Sequence, residues 1–111
     1  MVEYTLSLDS IFNSLADATR RDILRRVRKQ ELSVGDIARP YDLSLAAVSK
    51  HLGVLERARL VIKRRVGKQQ MVAGSPEGMR TAAEYLREFE AMWDGRFDAL
   101  ERYLEEGADD D

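Results

Sequence analysis

The chain has 111 residues, 44% of them hydrophobic and 34% charged, with no Cys, one His and a net charge of −2. That length supports one core rather than two. Zero Cys excludes disulfides and thiolate metal sites, and no apolar run nears the roughly 20 residues that a bilayer-crossing helix requires. The small net charge hides an asymmetry: residues 1–74 hold 14 Lys/Arg against 8 Asp/Glu, whereas residues 75–111 hold 4 against 12.

The opening MVEYTLSLDS lacks the basic region and apolar run of a secretory signal, so a cytoplasmic location is expected. Leu8, Ile11, Phe12 and Leu15 recur at helical spacing and predict a short first helix. Asp17 can cap a second helix, with Ile23, Leu24 and Val27 facing inward and arginines around the rest. Ser33 and Asp36 have the spacing of a capping box around a third helix, which Pro40 confines to about two turns. After a bend through Tyr41 and Asp42, Ser44 can cap a fourth helix running to about Ala58. Val48, Leu52 and Leu55 form its inward face, leaving Ala46, Ser49, Lys50 and Gly53 outward.

Val61 to Val66 and Gln69 to Ala73 read as two strands joined at Gly67-Lys68, a hairpin that carries Lys63, Arg64, Arg65 and Lys68. Ser75-Pro76-Glu77 opens a last helix of about 28 residues. Along it Met79, Ala82, Leu86, Phe89, Trp93, Phe97, Leu100 and Leu104 repeat at three or four residues, a stripe too long for so small a domain to cover. A single domain over residues 1–105, followed by an acidic, disordered tail over 106–111, is expected.

This order of elements predicts a mainly α (α+β) fold: a winged helix-turn-helix with a two-stranded β wing and a long C-terminal dimerisation helix. The fourth helix then enters the major groove of double-stranded DNA while the wing follows the neighbouring backbone. Between Ser44 and Gly74 there are seven basic residues and one acid, Glu56, which suits a polyanion. The candidate DNA-binding residues are Ser44, Ala46, Ser49, Lys50 and His51 from the helix and Lys63, Arg64, Arg65 and Lys68 from the wing. Strand alternation leaves open which of Arg64 and Arg65 faces DNA. His51 is expected at the edge of that helix, packed or bonded to a phosphate.

The segments SLADATRRDIL, ELSVGDIA, SLAAVSKHLGVLERARLV and KRRVGKQQM resemble, in order and spacing, the ArsR-type dimeric winged-helix repressors over residues 8–72. The later WDGRFDALERYL resembles the branch of that family without metal sites. The resemblance implies a homodimer joined through its first and last helices, bound to a two-fold symmetric operator and released on a signal. Leu8, Ile11 and Phe12 with Leu86, Phe89, Trp93, Phe97 and Leu100 are the candidate interface, and Leu6 is further cover for it. Trp93 and Phe97 are candidates to line a cavity for an apolar small-molecule effector. Metal-sensing members carry thiols where this chain has Ser33 and Gly35, and histidine in a last helix that here has none, so no metal or other cofactor is expected. The chain departs from the common pattern at Leu45, where many members have Gln, and at Arg59, where many have Gly before the wing.

No nucleophile paired with a base and no phosphate-cradling glycine loop is present, so an enzyme is not expected. A sequence-specific repressor is the leading reading. A winged-helix module whose basic face meets a protein, or a non-specific architectural DNA binder, are the alternatives.

Overall fold

A computed structural model describes the backbone of residues 2–109 and the side chains of residues 8–107. The chain runs α1 (Val2–Leu15), α2 (Ala18–Lys29), β1 (Leu32–Ser33), α3 (Val34–Ala38), α4 (Leu45–Arg57), β2 (Val61–Val66), β3 (Gln69–Gly74) and α5 (Pro76–Asp109). This is the expected winged helix-turn-helix order, with one addition. The wing is a three-stranded antiparallel sheet ordered β1-β3-β2, in which Leu32 pairs with Val72 and Ser33 with Met71. A two-residue strand has no alternation to betray it in sequence.

Ser33 serves two elements. It ends β1, and its hydroxyl accepts the backbone N–H of Asp36 at 3.1 Å to cap α3. The reciprocal half of the expected capping box is not among the hydrogen bonds. Asp36 has one methylene fewer than Glu, and its carboxylate pairs with Arg39 at 3.0 Å instead.

The core gathers Ile23 and Val27 from α2, Ile37 from α3, Val48, Leu52 and Leu55 from α4, and Val72 from β3. Ile11 is 0% exposed and Leu8 8% exposed, which corrects their assignment to a dimer interface: both are spent inside the protomer. Phe12, on the same helix, remains at the surface, and the side chain of Leu6 lies outside the described residues.

Three side chains missed in the sequence reading clamp the turn between α3 and α4 onto α2. Arg26 donates to the carbonyls of Ile37 at 2.7 Å and Asp36 at 2.9 Å, meeting acceptors the end of α3 would otherwise leave open. Its guanidinium lies 5.3 Å from the centre of the Tyr41 ring. The Tyr41 hydroxyl donates to the Asp22 carboxylate, and burial, then this bond, raises the pKa of the phenol.

The end of α4 is closed by a Schellman pair. Arg59 N–H donates to Glu56 O at 2.9 Å and Leu60 N–H to Leu55 O at 3.0 Å, with Arg59 at φ 59. The tight turn before the wing therefore forms without the glycine that position favours. The first turn of α5 docks against it: Gly78 N–H donates to Arg59 O at 2.8 Å. A Cβ on Gly78 would be driven into the carbonyl oxygens of Ala58 and Arg59. Here only glycine allows the approach.

α5 is one continuous helix of 34 residues, about 51 Å long at 1.5 Å per residue. It is longer than the expected length of about 28 residues: Glu105, Glu106 and Ala108 are strong helix formers, and the helix runs to Asp109. Asp110 and Asp111 lie outside the described residues. Beyond its first turns α5 leaves the body, so the radius of gyration is 19.7 Å, against the roughly 13 Å of a compact chain of this length.

Three substitutions test this packing, all read by urea denaturation at fixed protein concentration. Gly78→Ala should cost about 2 kcal/mol through overpacking against backbone that cannot give way, whereas Arg59→Gly should gain up to about 1 kcal/mol by relieving the left-handed residue. Arg26→Ala should cost about 2 kcal/mol, because two carbonyls lose a charged donor.

Candidate nucleic-acid interface

α4 is aimed by its buried face. The Ser44 hydroxyl accepts Ala47 N–H at 3.1 Å and fixes where the helix begins. Val48, Leu52 and Leu55 are wholly buried, so Leu45, Ala46, Ser49 and Lys50 stand outward and exposed, with Gly53 half-buried in line. One residue on this face was missed. Arg57 continues the i, i+4 row from Ser49 through Gly53 and is exposed.

His51 lies at the edge of the helix, half-buried. Its Nδ1 is 3.3 Å from an Arg20 guanidinium nitrogen, while the same guanidinium donates to Ser14 O at 2.7 Å and Asn13 O at 3.0 Å. Arg20 has only donors, so Nδ1 accepts and the ring proton sits on Nε2. Asp17 caps α2 through the Arg20 backbone N–H at 3.0 Å, and this bond, helped by the charge of Arg20, lowers the pKa of its carboxyl.

The wing cations divide by partner. Lys63, with its side chain only 18% exposed, is 3.6 Å from Glu56 and ties β2 to the end of α4. Arg64 grips Glu31 with two bonds, Nε to Oε2 at 2.8 Å and a terminal nitrogen to Oε1 at 2.6 Å. This pairing lowers the pKa of the Glu31 carboxyl, so it holds at neutral pH and is lost only on acidification through that lowered value. Arg59 is likewise paired, with Glu77 at 2.7 Å. Arg65 shares its strand face with Lys63, the face that meets α4, whereas Arg64 points to the opposite face. Gly67, at φ 62, makes the hairpin turn and leaves Lys68 exposed at the tip. Among the described residues, Lys50, Arg57, Arg65 and Lys68 have no carboxylate partner. Together they form a basic strip from α4 to the wing tip.

A second surface lies on α5. Leu86, Phe89, Trp93, Phe97 and Leu100 are all exposed, with Ala82 of the same stripe turned into the core. The Phe12 ring centre is 5.9 Å from that of Tyr85, which meets Phe89 at 4.9 Å, so α1 joins this surface at its near end. Trp93 and Phe97 stack at 5.6 Å on the outside of the helix. A groove of about 790 Å³, lined by neither of them, lies between α2, the end of β3 and the start of α5, over Leu24, Val27, Met79 and Ala83. Gly95, on the projecting part of α5, has no neighbour within 4 Å of where a Cβ would stand, and the helix runs through it unbroken.

Among the described residues no three His, Asp or Glu side chains converge as a metal would need, and no helix is long and apolar enough to cross a membrane.

Comparison with known proteins agrees with this geometry. A family model described as a helix-turn-helix domain matches residues 15–64. The HTH-type transcriptional regulator Rv2034 of Mycobacterium tuberculosis is 42% identical over 73 residues, covering 66% of this chain and 68% of that protein. The transcriptional repressor SdpR of Bacillus subtilis is 32% identical over 60 residues, 54% of this chain and 67% of SdpR. A crystal structure of an ArsR family transcriptional regulator superposes with a TM-score of 0.77 at 29% identity, over 81% of this chain and 93% of that one. With the fold, these likenesses show that the chain belongs to the ArsR-type winged helix-turn-helix transcriptional regulators, a family of DNA-binding proteins and not of enzymes.

Proposed function

We propose that the protein is a homodimeric, metal-independent repressor that reads a two-fold symmetric operator, with α4 in the major groove and the wing along the adjoining backbone. The observation that carries this reading is the strip of exposed cations, Lys50, Arg57, Arg65 and Lys68, without carboxylate partners among the described residues and beside an outward face of small and polar residues on α4. Ala46 and Gly53 let the helix backbone approach the base edges, Ser49 offers a hydroxyl, and Lys50 reaches a guanine or a phosphate. Ser44 and the His51 Nε2–H serve phosphates at the helix edge, and Arg65 and Lys68 those beside the wing. Lys63 and Arg64, both held by carboxylates, contribute positioning of the wing.

The uncovered stripe on α5 supports dimerisation, with Phe12, Leu86, Phe89, Trp93, Phe97 and Leu100 as its contacts. Large apolar patches on a monomer mark an interaction surface. The two α4 helices then meet successive major grooves ~34 Å apart. Repression is the sense that SdpR is described as having, and a site of action on DNA supports a cytoplasmic location. Neither thiols nor a histidine in α5 are there to make the reading depend on a metal. A single domain over residues 1–105 carries all of this, and an effector that releases the operator acts through the dimer.

Fluorescence anisotropy on duplex DNA from upstream of the gene, against a scrambled duplex, tests the proposal. Preference for the upstream duplex, unchanged by zinc or by chelator, is expected; equal affinity for both would make the protein a non-specific binder. Arg65→Ala should weaken both duplexes alike and reduce the salt slope by about 2, because one phosphate contact is lost in each half-site. Trp93→Glu should yield a monomer by light scattering at micromolar concentration.

A further inference from the structure

On the operator reading just given, we infer that Leu45 is a specificity-determining residue that reads the C5-methyl of thymine, so that each half-site holds a thymine where the first turn of α4 enters the groove. Leu45 is the first residue of α4, directly after the Ser44 cap, and is 61% exposed. An exposed leucine alone says little. Its position says more: it shares the outward face with Ala46, Ser49 and Lys50, and residues at the start of a recognition helix are those that reach base edges. Nearby Leu43 is also exposed, but it stands at the position before the cap from which a side chain can staple onto Val48, four residues into the helix. Leu45 has no such duty within the fold.

The chemistry of the groove then selects the partner. The side chain has neither donor nor acceptor, so it satisfies none of the N7, O6, N6 or N4 groups of guanine, adenine or cytosine. Pressed against them it would strip their water and return nothing. The thymine methyl is the apolar group that the major groove displays, and burying it against an isobutyl side chain is favourable. The adjoining Ala46 side chain is small enough to leave that contact open.

Uracil differs from thymine only in lacking this methyl, which makes the test direct. Duplexes preferred by the wild-type protein are selected from a random pool, and each thymine of the half-site is replaced in turn by deoxyuridine, symmetrically in both half-sites. The wild-type protein should lose roughly fourfold in affinity per methyl, hence about 15-fold for the symmetric pair, at one or two positions. Leu45→Ala, which removes an exposed side chain and should unfold at the same urea concentration, is expected to bind the thymine and uracil duplexes with nearly equal affinity. Leu45→Gln should shift the selected base at that position towards adenine, which glutamine grips with two bonds. Insensitivity of the wild-type protein to every uracil replacement would overturn the inference, as would a Leu45→Ala variant that keeps the full loss. A pool yielding no preferred sequence at all would overturn the operator reading itself, and this inference with it.

Discussion

Burial of Val48, Leu52 and Leu55 is the constraint on which the rest depends. These three side chains are wholly enclosed by α1, α2, α3 and the base of the wing, and they leave α4 one rotational setting about its axis. Turning the helix by one residue, about 100°, would expose leucines and bury Ser49 or Lys50, at a cost of several kcal/mol. The small polar face is outward because the large apolar one has nowhere else to go. The capping serine sets the start of the helix, the Schellman pair sets its end, and the Arg26–Tyr41–Asp22 clamp holds the turn that delivers it.

Charge is sorted by the same frame. In the basic half of the chain, positive charge is plentiful, but much of it is internal scaffolding. Arg26 meets carbonyls, Arg20 ties α1 to α4, Lys63 and Arg64 lash the wing to α4 and to Glu31, and Arg59 pairs with the start of α5. Such exposed pairs contribute little stability each. Among the described residues of α4 and the wing, they leave Lys50, Arg57, Arg65 and Lys68 without a carboxylate partner. Among the described residues, the acids from Glu88 to Glu106 ride on the projecting part of α5.

Elements with strong periodicity were legible in the sequence: α2, α4, the hairpin and α5 follow from apolar spacing, caps and a Gly-Lys turn, and the outward residues of α4 follow from its buried ones. What sequence left unread depended on contacts between distant segments. β1 is too short to show a pattern and exists because β3 offers it an open edge. Arg64 looked as free as Arg65 until Glu31, 33 residues away, was seen to hold it. Ile11 fits a surface stripe and a core equally well at helical spacing, and only packing against α2 and α4 decides. Arg59 shows the reverse case. A residue type ill suited to a left-handed turn occupies one because the helix behind it and the strand after it both require the bend.

The junction at Gly78 gives the molecule the mechanics of a lever. α5 leaves the turn after α4 in direct backbone contact, with no linker to absorb rotation, and continues as one rigid rod. In the proposed dimer the two reading heads are therefore connected through stiff helices rather than flexible tethers. A tilt of about 6° at that joint, carried along ~30 Å of helix, moves the far end by about 3 Å, close to the rise of one base pair. In that dimer a small rearrangement along the seam would become a mismatch between the spacing of the heads and the spacing of successive grooves. Distance along the rod, rather than any change at the reading surface, supplies the gain.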